Sequence, residues 1–319
     1  MNQLRSIVVG VDFSRCSLKA LAHAVRIARW NEARLHVLHV IDGLDVADLA
    51  EAVRAPLDEV RAQVARTAAH ELEARVLEVG GDATIQVEIG PPIDEILKAL
   101  RRVSADLLVV GANGGSEPHL GAGTLAVKCL RKATTKVLLV SAEAADSFRT
   151  ITACVDFSPA SRVVVEQARR VALSEGSEIH CLHVYHPPWQ RLHYLTPTAE
   201  VKPDIQTQYL AALHDRLEEF AGLNPTSAVR CALFPHARYG TGIVEYARQI
   251  SADLIVLGTR GRTNLPYIMA GSTAEHLLRE LPCSVLAVRA VESESGGKPA
   301  LAAEPISSSR SYSDMESPA

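Results

Sequence analysis

The sequence lacks any apolar run that approaches the roughly 20 residues needed to span a membrane as a helix. It also lacks a basic block, and its 33 lysines and arginines stand against 37 aspartates and glutamates, a net charge of -4. Because nucleic-acid binding needs a clustered basic excess, neither DNA nor RNA is expected as a partner. A strand pattern begins at Ile7, which leaves no room for a signal peptide. We therefore expect a cytoplasmic protein that does not enter a membrane.

The six cysteines are scattered through the chain, and no two of them form a CxxC pair. In a cytoplasmic chain this spacing indicates reduced, structural thiols rather than a disulfide framework. Common catalytic signatures are absent too: there is no nucleophile elbow, no HExxH zinc motif, no GxxxxGK[ST] phosphate loop and no GxGxxG that opens a first helix. The sequence therefore contains no recognisable catalytic centre.

Two other groups of polar residues invite a functional interpretation. Histidines cluster at His36–His39 and His180–His186. Residues three apart on a strand point to opposite faces, so such a pair does not easily chelate one ion, and we expect no metal site. Asp106 and Asp253 each precede a strand, at the edge opposite to the usual ligand edge, and we expect them to cap turns.

The second half of the chain repeats the first. The segment Ile7–Ser14 (IVVGVDFS) returns 144 positions later as ITACVDFS, which ends at Ser158. The segment Leu35–Val40 (LHVLHV) returns at the same offset as IHCLHV. A third block, SADLLVVG, which ends at Gly111, returns as SADLIVLG 147 positions later. The chain is therefore a tandem duplication.

Each copy alternates β-rich runs with segments of helical periodicity, which predicts an α/β fold with a parallel sheet and crossover helices. We expect two tandem doubly wound domains, each with five strands and about four helices. The predicted strands lie near 5–11, 34–41, 84–89, 106–111 and 136–141, and near 150–155, 178–185, 228–234, 253–258 and 283–289. The predicted helices of the first copy lie near 15–30, 56–79, 92–103 and 123–133.

We assign the two domains to residues 1–142 and 150–290. The linker between them is short enough to make the domains near neighbours, because eight extended residues span at most about 26 Å. After residue 290 the sequence is rich in Ser, Glu, Gly and Pro and has no apolar periodicity. This composition predicts a disordered tail over residues 291–319.

A glycine-rich loop follows the fourth strand of the second copy, from Gly258 to Thr273, and reads GTRGRTNLPYIMAGST. Glycines between a strand and a helix let backbone N–H groups approach phosphate, and the positive end of the helix dipole adds to the attraction. The alternative is that Ser272–Glu275, with the pattern S-x-x-E, is a capping box that begins a helix without a ligand. That box explains neither the three glycines nor the two arginines of the loop, so phosphate binding is the favoured interpretation.

Together these motifs resemble the universal stress protein family, in its ATP-binding subgroup. The resemblance rests on Asp-Phe-Ser after the first strand of the second copy, His-Val at the end of its second strand, and G-x2-G-x9-G-S after its fourth. It covers residues 1 to about 290 as two family domains. It implies a five-stranded sheet of order 3-2-1-4-5 in each domain, with ATP bound across the switch point.

The resemblance also implies a role for each residue of the second-copy site. Asp156 would contact the ribose, Val184 would meet adenine through its backbone, and Gly258 would lie beside the ribose. The phosphates would be held by Gly261, Gly271, Ser272 and Thr273, with Arg260 and Arg262 adding positive charge. A carboxylate is a sensible acceptor for ribose hydroxyls. The alternative for Asp156 is an Asx-type cap of the helix that follows.

The first copy departs from this pattern. Its corresponding positions are Asp12, Val40, Gly111, Gly114, Gly123 and Thr124. Only eight residues, instead of nine, separate the second and third glycines of its loop. The arginine positions become Asn113 and Gly115, and Glu117 brings a negative charge. We expect weaker phosphate binding here, which leaves a smaller adenine-containing ligand or a degenerate pocket as the two interpretations of this copy.

The sequence thus predicts an ATP-binding regulatory protein of the stress response, with AMP or ADP as alternative ligands and no evident catalyst. Two other functions stay open: a weak ATPase or autophosphorylating enzyme of the same superfamily, and an interaction module that binds no nucleotide. Family members commonly dimerise through the last strand, so the internal duplication either satisfies that edge or leaves a second surface for a homodimer. The sequence names no protein partner.

Overall fold

The computed structural model describes residues 4–114, 121–191, 203–222, 229–259 and 272–289. The first half of the chain contains, in order, β1 (Ser6–Gly10), α1 (Arg15–Asn31), β2 (Arg34–Ile41), α2 (Gly43–Val53), α3 (Leu57–Glu78), β3 (Thr84–Ile89), α4 (Pro92–Arg102), β4 (Leu107–Gly111), α5 (Thr124–Lys132) and β5 (Lys136–Val140). The second half contains β6 (Thr150–Cys154), α6 (Pro159–Glu175), β7 (Glu178–Tyr185), α7 (Pro188–Arg191), α8 (Pro203–Ala221), β8 (Val229–Pro235), α9 (Tyr239–Gln249), β9 (Leu254–Gly258), α10 (Ser272–Glu280) and β10 (Ser284–Val288).

All ten strands form one sheet, in the order β3-β2-β1-β4-β5-β10-β9-β6-β7-β8. Within each half every pairing is parallel, and the order of the strands is 3-2-1-4-5. The two halves meet where β5 pairs antiparallel with β10, with Leu138 opposite Leu286. The strand order reverses between β1 and β4, and again between β6 and β9. A doubly wound sheet binds ligands at such switch points, at the carboxyl ends of the strands.

The strands are apolar almost throughout because helices cover both faces of the sheet. Successive residues of β1 alternate between two cores: Ile7 and Val9 pack on the side of α1, α3, α6 and α8, whereas Val8 packs on the side of α4, α5, α9 and α10. Each core runs through both halves of the chain. The α/β class and the parallel, doubly wound sheet predicted from the sequence are therefore confirmed.

The described residues form five helices in each half, one more than the four expected. The unpredicted helix of the first half, α2, buries only Val46 and Ala50, so it shows too little apolar periodicity to be recognised. Asp42 begins it by accepting a hydrogen bond from the N–H of Leu44 at 2.9 Å. In the second half, α7 is a single turn of four residues. No helix of the described part is long and apolar enough to cross a membrane.

The linker between the halves is held by contacts to both of them. Phe148 is 1% exposed and stacks on the ring of His23 in α1, with 4.6 Å between the ring centroids. Its backbone oxygen accepts a hydrogen bond from the hydroxyl of Ser177, which precedes β7. Next to it, Arg26 of α1 forms an ion pair of 2.7 Å with Glu175 of α6. The first helices of the two halves are therefore joined through this buried cluster.

The stability of the fold should depend on pH through His23. Burial lowers the pKa of His23 from 6.5 to about 4, and the positive charge of Arg26 is the second cause of this shift. Between pH 4 and 6.5 the His23 side chain of the unfolded chain binds a proton that the folded chain does not. The free energy of unfolding should therefore rise with pH through this window, and the contribution of His23 should be fully present above pH 6.5. The expected contribution is about 3 kcal/mol.

Urea unfolding at several pH values tests this, with His23→Gln compared with the wild type. The variant should lose less stability than the wild type on acidification from pH 6.5 to 4. The matched control is His70→Gln, because His70 is exposed on α3, and it should keep the wild-type slope. Equal slopes for all three proteins would contradict the prediction.

Candidate functional site

Three predicted site residues of the second half lie at the carboxyl ends of neighbouring strands. Asp156 follows β6, Val184 is the penultimate residue of β7, and Gly258 ends β9. The sheet places β6 between β9 and β7, so the three positions share one edge of the sheet at its switch point. Helix α10 begins at Ser272, so it includes the serine that the S-x-x-E pattern predicts as its N-cap. Arg260, Gly261, Arg262 and Gly271 lie outside the described residues.

The Asp156 carboxylate is fixed by the turn that leads into α6. Its Oδ1 accepts hydrogen bonds from the N–H of Ser158 at 2.9 Å and from the hydroxyl of Ser161 at 2.6 Å. The hydroxyl oxygen of Ser161 also accepts a hydrogen bond from the N–H of Asp156 at 3.0 Å. Ser158, rather than Asp156, is the N-cap of α6. The Asx-type turn weighed for Asp156 is therefore present, and it holds the carboxylate at the sheet edge.

Phe157 adopts a backbone conformation that bulky residues rarely take, with φ of 62°. Packing compensates for this strain. The ring of Phe157 lies 4.5 Å from the ring of His183, and the guanidinium of Arg216 in α8 sits over it at 4.2 Å. Phe13 has the same φ in the first half and contacts His39 at 4.8 Å. Strained residues held this way often mark functional sites, and sequence patterns do not reveal them.

Three of the sequence-clustered histidines, His39, His180 and His183, have hydrogen-bond partners. His39 and His183 contact the carbonyl oxygens of Val11 and Val155 through Nδ1, at 2.6 and 2.7 Å. They brace the turns that carry Asp12 and Asp156. One group of three residues in the described part could supply metal ligands, namely His214, Asp215 and Glu218 on the surface of α8. It includes none of the clustered histidines.

The backbone of Val184 lies beyond the end of the β6–β7 ladder. The β6–β7 ladder ends at Cys154 and Leu182, where the N–H of Val155 donates to the oxygen of Leu182 at 2.8 Å. Backbone N–H and C=O groups alternate sides along a strand. Val184 lies two residues after Leu182, so its N–H and C=O point to the β6 side as those of Leu182 do, but beyond the end of the β6–β7 ladder. On the opposite side, facing β8, the backbone oxygen of Tyr185 accepts a hydrogen bond from the backbone N–H of His236 at 2.9 Å. Val184 therefore presents a donor and an acceptor beside Asp156.

Two glycines of α9 were missed by the sequence analysis. A Cβ on Gly242 would lie 2.7 Å from Cγ1 of Val184, and a Cβ on Gly240 would lie 2.9 Å from Cβ of His276 in α10. The hydroxyl of Thr241 also contacts Nε2 of His276 at 3.2 Å. Helix α9 thus packs closely on both Val184 and the first turns of α10. The spacing G-x-G at the start of the helix is the only sequence signal for this contact.

Comparison with known proteins identifies the family. The sequence profile of the universal stress protein family matches residues 3–141 and 147–289. The chain belongs to the universal stress protein family. A universal stress protein of Mycolicibacterium smegmatis is 27% identical over 292 residues, which cover 89% of this chain and 96% of that protein.

Universal stress protein YxiE of Bacillus subtilis is 32% identical over 143 residues, or 42% of this chain and 97% of its own length. A crystal structure of a universal stress protein from Archaeoglobus fulgidus matches with a TM-score of 0.59 at 19% identity. The match covers 90% of this chain and 99% of the Archaeoglobus fulgidus chain, and it supports the α/β fold described above. The chain therefore contains two universal stress protein domains in tandem.

The first universal stress protein domain repeats the turn and the open strand end. Asp12 Oδ1 accepts from the N–H of Ser14 at 3.0 Å, and the N–H of Val11 donates to the oxygen of Leu38 at 2.9 Å. By the same alternation, Val40 directs its backbone beyond the end of the β1–β2 ladder, which closes at Gly10 and Leu38. The two domains therefore share the geometry of this part of the site.

The glycines of the first domain do not all have the expected surroundings. A Cβ on Gly111 would lie 2.8 Å from the N of Ser17, so this glycine lets β4 approach the start of α1. A Cβ on Gly114 would lie 2.6 Å from Oδ2 of Asp12, so the loop lies against the carboxylate. Gly123 is the N-cap before Thr124 and has room for a side chain, with the nearest atom 3.5 Å away.

The cysteines of both universal stress protein domains are free thiols. Burial raises the pKa of Cys129, Cys181 and Cys283 to about 12, so these thiols stay protonated at neutral pH. A buried thiol without its thiolate form is unreactive. The cysteines therefore fit the structural role that their spacing indicates.

Asp106 and Asp253 lie at the opposite edge of the sheet, as expected from their positions before β4 and β9. Asp253 Oδ2 accepts from the N–H groups of Arg149 and Thr150 at 2.8 and 2.9 Å. Asp106 makes the equivalent pair of bonds to the start of β1. Each carboxylate thus caps the entry of the neighbouring strand, and their structural role is confirmed.

Replacing Asp253 with alanine should destabilise the fold without touching the candidate site. The substitution leaves two backbone N–H groups without their acceptor, which should lower the free energy of unfolding by about 1–3 kcal/mol. Asp106→Ala should have a similar effect. Urea unfolding measures both, and an unchanged midpoint would contradict the proposed capping role.

Proposed function

We propose that this universal stress protein binds ATP in its second domain and acts as a regulatory protein of the stress response. The observation that carries the proposal is the backbone of Val184, which lies beyond the end of the β6–β7 ladder, beside the fixed carboxylate of Asp156. Adenine offers a donor and an acceptor along one edge, which a backbone N–H and C=O can match. A carboxylate accepts hydrogen bonds from ribose hydroxyls. Both groups stand at the switch point, where α/β sheets bind nucleotides.

The remaining contacts are assigned along the loop that follows β9. Gly258 lies beside the ribose in this proposal, and the phosphates extend towards the start of α10. The phosphate contacts are assigned to Gly261, Gly271, Ser272 and Thr273, with Arg260 and Arg262 as the cationic partners. Backbone N–H groups at a helix start, together with the helix dipole, favour bound phosphate.

The first domain is the weaker site in this proposal, although Asp12 and Val40 share the geometry of their counterparts. Its loop is one residue shorter and has Asn113 and Gly115 in place of the two arginines, with Glu117 nearby. Each lost charge-assisted contact costs about 1.5–3 kcal/mol. In addition, Gly114 already lies against the carboxylate of Asp12. These features favour one strong site per chain, with Gly111, Gly123 and Thr124 in the weaker one.

Regulation rather than catalysis is the favoured activity because no general base or nucleophile motif accompanies the loop in the sequence. Nucleotide would act by stabilising one conformation or assembly state in the cytoplasm. AMP and ADP are the alternative ligands. The competing functions are slow ATP hydrolysis or autophosphorylation, and an interaction module that binds no nucleotide.

Nucleotide binding can be tested with a matched pair of variants. ATP at 100 times its dissociation constant should stabilise the wild type by about 2.7 kcal/mol, measured as a thermal shift. Asp156→Ala should lose most of this shift, because the ribose loses its acceptor, whereas Asp12→Ala should keep it. Nucleotide released by denaturing the purified protein should be detected by anion-exchange chromatography.

Asp253→Ala serves as the control at the opposite edge of the sheet. It should lower the melting temperature but leave the ATP-dependent shift unchanged. The absence of both released nucleotide and any shift with ATP, ADP or AMP would refute the proposal and favour the interaction module. Steady phosphate release that depends on one side chain would favour the enzyme.

A further inference from the structure

Three aromatic side chains gather beside the open end of β7. The ring of Tyr209 in α8 lies 6.2 Å from the ring of Tyr185 and 5.5 Å from the ring of Trp189, which it meets edge-on. Aromatic residues make up only 4% of the chain. Trp189 follows Val184 by five positions, in the short helix α7, and it stays partly exposed. The cluster therefore places an indole on the segment that directly follows β7, the strand whose backbone is proposed to meet adenine.

The first domain has no such cluster. Residues 40–78, which run from the corresponding valine through α2 and α3, contain no Phe, Trp or Tyr. The strand-end geometry is shared by both domains, so this aromatic side chain, like the loop, distinguishes the two sites. It falls in the domain whose loop carries the arginines.

We infer that Trp189 stacks on the base of the bound nucleotide and makes the second domain selective for purines. This inference rests on the proposed nucleotide site. The two-ring face of a purine overlaps an indole over more area than a single pyrimidine ring does. Tyr209, edge-on to the indole, and Tyr185 behind it hold Trp189 in place.

Tryptophan fluorescence gives a direct test because the chain has two tryptophans, one in each domain. The other, Trp30, is on α1 beneath the guanidinium of Arg26. In a Trp30→Phe variant Trp189 is the only tryptophan, and ATP should quench its emission with the same midpoint as the thermal shift. Trp189→Ala should weaken ATP binding about 10- to 100-fold by calorimetry, while Trp189→Phe should retain most of it.

CTP should bind the wild type at least tenfold more weakly than ATP or GTP. An ATP-dependent thermal shift without quenching, together with unchanged affinity in Trp189→Ala, would overturn this inference while leaving the proposed function intact. No thermal shift in any variant would instead count against the nucleotide site itself.

A second inference is carried by a different contact, between α10 and the loop of the first domain. The N–H of Ala122 donates to the oxygen of Leu278, near the end of α10, at 2.7 Å. Gly121 has φ of 81°, and a Cβ there would lie 2.3 Å from the oxygen of Arg279. An ion pair of 2.6 Å between Arg131 and Glu275 joins α5 to α10. The loop that precedes α5 is therefore fitted onto the end of α10.

We infer that α10 couples nucleotide binding in the second domain to the loop of the first. The proposed phosphate contacts of Ser272 and Thr273 are at the start of this helix, and the first-domain loop is bonded to its end. A nine-residue helix is about 14 Å long and moves as a unit. A shift of its first turn on binding phosphate therefore reaches Gly121 and Ala122. This inference too rests on the proposed function.

Hydrogen exchange of the full chain tests the coupling. Saturating ATP should slow exchange of the Ala122 amide at least fivefold, and Gly121→Ala should weaken ATP binding about tenfold. The matched control is Gly176→Ala, because Gly176 has φ of 68° and no atom within 4 Å of an added Cβ. It carries the same backbone strain without the contact, and ATP affinity should stay within twofold of wild type.

Equal effects of the two glycine variants on ATP affinity would overturn the coupling. The coupling would also be overturned if the wild type shows the thermal shift but its Ala122 amide exchanges at the same rate with and without ATP. The exchange measurement needs no variant, so it decides the question even if Gly121→Ala fails to fold. A wild type without the shift would contradict the proposed function instead.

Discussion

The antiparallel pairing of β5 with β10 is the constraint on which the rest of this molecule depends. An edge strand exposes unpaired N–H and C=O groups, and each domain would present such an edge if it stood alone. By pairing these edges, the chain forms one sheet of ten strands whose outer strands are β3 and β8. The same pairing sets α5 beside α10 and makes each apolar core continuous across both domains.

The candidate site arises from the lengths of the central strands. Because β6 ends two residues short of the position opposite Val184, the backbone of β7 continues beyond the β6–β7 ladder on that side. The turn after β6 then brings a carboxylate to this edge, where Ser158 and Ser161 hold it. The first domain has the same turn and the same strand end, so the shared fold accounts for the common part of the two sites. The differences lie in the loops and in the aromatic side chains around them.

Much of this could be predicted from the sequence because the signals are local. Apolar runs such as those ending at Gly111 and Gly258 predicted buried parallel strands, and Asp156 and Val184 were expected at the ligand edge because both follow or close such runs. Helix α2 was missed because it buries only Val46 and Ala50. The φ of Phe157, the role of Gly111 against α1 and the contact of Gly121 with α10 were also missed, since each depends on residues far away in the chain.

By itself, the sequence determined the duplication, the α/β class and the residue types at the strand ends, because periodicity and turn chemistry act over a few neighbouring residues. Only the tertiary structure decided which backbone groups lie beyond the ladders at those ends, since this depends on where the adjacent strand stops. It also decided that the first-domain loop meets the end of α10, a contact between residues more than 150 positions apart. Such contacts follow from how the two domains join in one sheet, and no local pattern encodes that.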